Sequence, residues 1–131
     1  MNIDVTVYKD GVHGDTSRTI IVGEESQIDL NHYKRAKNLI DTTWEAMMAG
    51  ISVCKPGAPM TAIGCAIQDV TDRENFSIIK ILAGHGTGQY FHEDPIIYCY
   101  RHQVSQPTLL HENMVFTIGN FFSRNFYDFS C

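Results

Sequence analysis

Residues 2–8 alternate without a break: Ile3, Val5 and Val7 on one face, Asn2, Asp4, Thr6 and Tyr8 on the other. A period of two is the mark of a strand with one face covered. Lys9-Asp10-Gly11 follows. Asp-Gly between two strand-like runs is a strong hairpin signal, because the favoured two-residue turn needs positive φ at both central positions. A return strand is therefore expected from about Val12 to Val22, ended by Gly23. With that turn Lys9 faces Val12 and Thr6 faces Asp15. Asp4 then shares Asp15's face one diagonal away, about 7–8 Å at the backbone. A three-residue loop would break this parity unless a bulge restored it.

A carboxylate in mid-strand is costly to bury without a cation or several donors. Two converging carboxylates also repel, so either one holds a proton or a divalent cation sits between them. A plainer reading stays open on the hairpin alone, in which Asp15 caps a turn and Asp4 bonds to nearby backbone.

Beyond the hairpin, 131 residues are enough for one domain with a single core. Hydrophobic residues make up 44% and charged ones 19%, as in ordinary globular chains. The net charge of −5, with no basic run, argues against a nucleic-acid partner held by phosphate contacts. Cys54, Cys65, Cys99 and Cys131 form no C-x-x-C pair and read as reduced intracellular thiols. No apolar run approaches the roughly 20 residues of a membrane span, and no signal peptide is visible. The chain is expected to be intracellular, in the cytoplasm, with a mitochondrial form left open.

Ser26 is the expected cap of a helix over 27–50, with Ile28, Tyr33, Ala36, Leu39, Ile40, Trp44, Met47 and Ile51 near helical spacing. Lys55-Pro-Gly-Ala-Pro59 breaks it. Thr61 is the expected cap of a second helix that buries Ile63, Ala66, Ile67 and Val70 and ends near Asn75. Strands are expected over Phe76–Ala83 and Met114–Ile118, on either side of the glycine-rich Gly84–Gly88. The class is α+β: an antiparallel sheet with two helices packed on it.

His85 stands between two glycines at the end of an apolar run, where backbone or ligand can approach closely. Imidazole suits a metal of intermediate softness. His92, in Phe91-His92-Glu93-Asp94-Pro95, could donate a hydrogen bond or carry a proton near neutral pH. Taken singly, each is as readily a satisfied loop histidine, and Glu93-Asp94 a solvated acidic turn. His13, His32, His102 and His111 keep that plain reading; His13 is the closest case, since Gly14-Asp15 follows it.

Several of these segments together resemble type I methionine aminopeptidases: Asn2–Tyr8 with Asp10-Gly-Val-His-Gly-Asp15-Thr-Ser, Lys55–Pro59, Gly84–Gly88 with Phe91–Pro95, and Met114–Ile118. The resemblance implies an incomplete pita-bread (creatinase/aminopeptidase) fold, whose intact form has two pseudo-symmetric α+β halves around a curved antiparallel sheet. It implies two divalent metal ions (Co, Mn, Fe or Zn), which activate a water to remove the N-terminal methionine from nascent polypeptides. Residue by residue, Asp4 would bind one metal, Asp15 bridge both and His85 ligate the other. His92 would contact the substrate and stabilise the tetrahedral intermediate, as the catalytic and substrate-binding histidine.

The family places a glutamate ligand and a proline after Phe-Thr-Ile; here Gly119 and Asn120 follow Ile118. Gly119 marks a lost ligand position, and a later glutamate has no counterpart before Cys131. The chain is accordingly expected to divide into a partial metallopeptidase domain, 1–118, and a divergent tail, 119–131, and to be an altered or incomplete gene product. Impaired or absent activity is expected, with one metal or none bound and self-association through uncovered sheet edges. Two other readings stand beside it: a non-catalytic pita-bread binding module or decayed copy, and a prolidase-like hydrolase.

Overall fold

The computed structural model describes residues 1–23, 29–119 and 122–123. Strands β1 (Asn2–Lys9) and β2 (Val12–Thr19) form an antiparallel hairpin. Its turn residues Asp10 and Gly11 have φ of 52° and 87°, the double positive φ of the tight hairpin turn. The register follows: Lys9 faces Val12, Thr6 faces Asp15 and Asp4 faces Ser17. β2 stops at Thr19 rather than Val22. Past it, Ile20 and Met1 still exchange hydrogen bonds of 2.9 and 2.8 Å. The strand was expected to be half-buried, yet Ile3, Val5 and Val7 are 44–55% exposed.

Helix α1 spans Leu30–Ser52, not 27–50. Its cap is Asp29, whose carboxylate accepts hydrogen bonds from the amides of Asn31 and His32 at 3.1 and 3.0 Å. Ser26 and Ile28 lie outside the described residues. The buried stripe also differs from expectation: it is Thr42, Ala46 and Gly50, whereas Trp44 is 62% and Ile51 43% exposed. Close helix packing explains the exchange. A Cβ on Gly50 would lie 3.0 Å from Ile67 Cγ1, so small residues occupy the contact and the large ones fall on another face.

Helix α2 spans Thr61–Glu74 and ends on Asn75 in the left-handed conformation (φ 55°). Thr61 is its first residue rather than its cap; Met60 holds the cap position without a side-chain bond. Ile63, Gly64, Ile67, Val70 and Thr71 are buried, Ala66 less so. The turn between the helices is tied to Thr108–Leu110 by bonds of 2.8 Å from Gly57 N to Leu110 O and Met60 N to Thr108 O.

Among the described residues the sheet is in three two-stranded pieces: β1 with β2, β3 (Ser77–Ile78) with β6 (Phe122–Ser123), and β4 (Gly84–Gly86) with β5 (Glu93–Ile97). The strand expected over 76–83 shrinks to two residues, since a turn closes at once, Leu82 N on Ile79 O at 3.3 Å. Met114–Ile118 runs along the other edge of β4 and pairs with it through the bridge Gly86–Phe116, with bonds from Thr117 N to His85 O at 2.8 Å and from Thr87 N to Val115 O at 3.3 Å. β4 is thus flanked on both sides. A Cβ on Gly84 would overlap the carbonyl of Thr117, and one on Gly86 the carbonyl of Asp94. The core joins Ala46, Ile63, Ile67 and Val70 of the helices to Ile97, Cys99 and Leu110. Cys54, Cys65 and Cys99 are free thiols, and burial pushes Cys99 up to about 11. Among the described residues no helix is long and apolar enough to cross a membrane.

Candidate metal centre

The hairpin delivers Asp15 to the edge of β4. Asp15 Oδ2 lies 3.3 Å from His85 Nε2, and the two side chains are only 17% and 16% exposed. Thr6, directly opposite, donates its hydroxyl to the other carboxylate oxygen at 3.4 Å. His85 is fixed at three points. Its amide donates to Thr117 Oγ1 at 3.1 Å, its carbonyl accepts from Thr117 N, and its ring Nδ1 contacts Gly86 O at 2.9 Å. A carbonyl can only accept, so Nδ1 carries the hydrogen. Nε2 therefore presents to Asp15 the atom with which a neutral imidazole ligates metals. The donor set, carboxylate oxygen plus imidazole nitrogen, fits a divalent cation of intermediate softness.

His92 is exposed, its ring 4.4 Å from that of His85 at 77°. Phe91 packs on both, at 5.5 Å from His85 and 4.2 Å from His92. Asp4 lies on Asp15's face of the hairpin, opposite Ser17, and is exposed. The structure therefore joins Asp15 to His85 and, separately, sets His92 against the His85 ring. It does not gather Asp4 with them: among the described residues no three His, Cys, Asp or Glu side chains form a group able to hold a metal. Gly119 contributes only its carbonyl, which accepts from the Cys99 thiol at 3.2 Å. Glu93, half-buried at the start of β5, accepts from Tyr90 N at 2.7 Å, while Asp94 beside it is exposed.

Two residues beside the site escape a reading of the sequence. Phe91 touches three histidine rings, and His13 bonds to Gly88 O through both its amide and its ring. For His13 one signal was available: it is two residues from Asp15, on the same strand face.

Fold and donor chemistry together point to a class, an α+β metallopeptidase scaffold, with candidate ligands on an antiparallel hairpin and a neighbouring strand. Residues 1–124 match metallopeptidase family M24, and the chain belongs to that family. It is 41% identical to a methionine aminopeptidase of Rickettsia prowazekii over 128 residues, 98% of this chain and 46% of that protein. A crystal structure of methionine aminopeptidase from Rickettsia prowazekii aligns with a TM-score of 0.85 at 40% identity, covering 97% of this chain and 48% of that one. A prolidase from Pyrococcus furiosus aligns less well, with a TM-score of 0.73 at 25% identity, over 91% of this chain and 32% of that one. The fold is thus an incomplete pita-bread fold of the methionine aminopeptidase kind, and the chain spans under half the length of these relatives. The family match continues past Ile118 to residue 124, and Phe122–Ser123 pair with β3.

Proposed function

We propose that this chain carries one part of a metalloaminopeptidase centre, acting on the N-terminal methionine of nascent polypeptides, with impaired activity in the chain as it stands. The observation that carries the reading is the Asp15–His85 pair at 3.3 Å, with His85 Nδ1 committed to Gly86 O and Nε2 turned to the carboxylate. Asp15 and His85 would hold one divalent metal ion; a second would take Asp4 together with Asp15, and Asp4 stands apart from the Asp15–His85 pair. Bound divalent metal supplies Lewis acidity and an activated water for attack on a peptide carbonyl.

The chain's own residues supply the surroundings. His92, exposed beside His85, would donate a hydrogen bond to the substrate carbonyl as negative charge develops on it; its ring contact with His85 supports this role. Impairment follows from chemistry at one address: Gly119 offers no side chain where the resemblance expects a carboxylate. Fewer carboxylates leave two dications under-neutralised, so one ion or none is expected to stay bound. The methionine type is preferred to the prolidase type because the alignment to it is both closer in sequence and tighter in structure.

The test is hydrolysis of a methionyl tripeptide and of an X-Pro dipeptide with and without added cobalt or manganese. Slow, metal-dependent cleavage of the methionyl peptide, or cobalt binding without cleavage, is expected. Metal-independent turnover, or a preference for the X-Pro dipeptide, overturns the reading.

A further inference from the structure

We infer that His13 is a positioning residue that clamps the hairpin onto the Gly84–Gly88 segment and so sets the distance between Asp15 and His85; the inference rests on the metal-centre reading above. Two donors of His13, the main-chain N–H at 2.8 Å and ring Nδ1 at 3.1 Å, meet one acceptor, the carbonyl oxygen of Gly88. That oxygen has two lone pairs, so both bonds form together, and Nδ1 carries the hydrogen because a carbonyl only accepts. The His13 ring is held from two sides, 4.5 Å from Tyr8 and 5.9 Å from Phe91, the ring that also packs on His85 and His92.

The consequence is geometric. Asp15 is two residues beyond His13 on the same face of β2, and His85 three residues before Gly88. Among the described residues, the polar links between hairpin and Gly84–Gly88 are the His13 pair of bonds and the Asp15–His85 contact. Remove the first and the hairpin is held at the centre only by the two groups the cation must take for itself. The cation would then have to order the hairpin as it binds. Groups that orient metal ligands typically change metal affinity 10–100-fold when mutated.

The side chain of asparagine places its amide nitrogen where Nδ1 sits, and that of glutamine where Nε2 sits, so the two variants separate a clamp from a space-filler. The experiment compares the full chain with His13→Ala, His13→Asn and His13→Gln, by cobalt titration read in visible absorption and by hydrogen exchange of the metal-free proteins. We expect His13→Ala and His13→Gln to weaken cobalt binding by at least about tenfold and to speed exchange of the residue-13 amide. His13→Asn should restore both, with cross-strand amides of β1 and β2 protected throughout. Unchanged cobalt affinity in His13→Ala, or rescue by Gln equal to that by Asn, overturns the clamp. A wild-type chain without a saturable cobalt band sinks the metal centre instead. In that event exchange decides the clamp: protection of the residue-13 amide unchanged by His13→Ala refutes it.

Discussion

Gly84→Ala is the substitution for which the structure dictates the outcome most fully. Gly84 lies in β4 between two neighbours. A Cβ there would overlap the carbonyl of Thr117 and stand 3.2 Å from Ile97 Cβ, on the opposite flank. Neither neighbour is the loose end of a flexible side chain, so the backbone of 84–86 or of 116–118 must move, by on the order of 1 Å. Forcing extra volume into a packed site costs about 1–3 kcal/mol. Replacing glycine also restricts the unfolded chain, which offsets about 0.4–1 kcal/mol. The net expectation is a loss of about 1–2 kcal/mol, which at a typical urea slope lowers the unfolding midpoint by roughly 0.5–1 M. His85 follows Gly84, and its main-chain bonds with Thr117 hold the backbone that carries its ring, so cobalt affinity should fall as well. Gly14→Ala is the matched control. It sits between His13 and Asp15, at ordinary φ, with nothing within 4 Å of its Cβ, and should leave cobalt affinity unchanged and the urea midpoint the same or slightly raised. Urea unfolding followed by circular dichroism, beside cobalt titration, gives both numbers. Equal midpoints and equal affinities for the two variants would refute the reasoning.

Three further outcomes follow from the same packing. Ile67→Ala removes a fully buried side chain wedged against Gly50 and should cost about 2–5 kcal/mol in urea unfolding, with a loss under 1 kcal/mol contradicting the assigned core. Cys99, raised by burial to about 11, keeps its proton in the folded chain above the unfolded value near 9. Its contribution is full below that lower value and is lost as pH rises through the window between them. Wild type should therefore lose on the order of 2–3 kcal/mol more than Cys99→Ala between those pH values, and parallel losses would contradict it. Trp44, Met48 and Ile51 make an exposed apolar stripe on α1, and Ile3, Val5 and Val7 another on the hairpin. The isolated chain should self-associate in sedimentation velocity and shift toward monomer on Trp44→Lys with Ile51→Lys; a cooperative, soluble monomer at all concentrations would contradict this.

What could be read from the sequence was what local chemistry decides. Asp10-Gly11 favours its turn because both residues tolerate the positive φ the turn requires, and the turn fixes a register in which Thr6 meets Asp15. His85 was marked by its flanking glycines, which β5 and the 114–118 segment require at close range. Less legible was what depends on distant partners. The buried stripe of α1 follows small residues because α2 approaches closely, so a search for large apolar spacing selected Trp44 instead. β5 carries Glu93, Asp94 and Pro95, residues that argue against a strand, yet it pairs with β4 across a bulge. His13 gains its place through the carbonyl of Gly88, 75 residues away, a contact with no side-chain signature.

The central claim is that Asp15 and His85 are metal ligands. Cobalt titration of the full chain, read by visible absorption, tests it directly. The account predicts a saturable d–d band that disappears in Asp15→Ala and in His85→Ala, with folding unchanged by circular dichroism. A chain with no saturable band, or a band that Asp15→Ala leaves as it was, would contradict it.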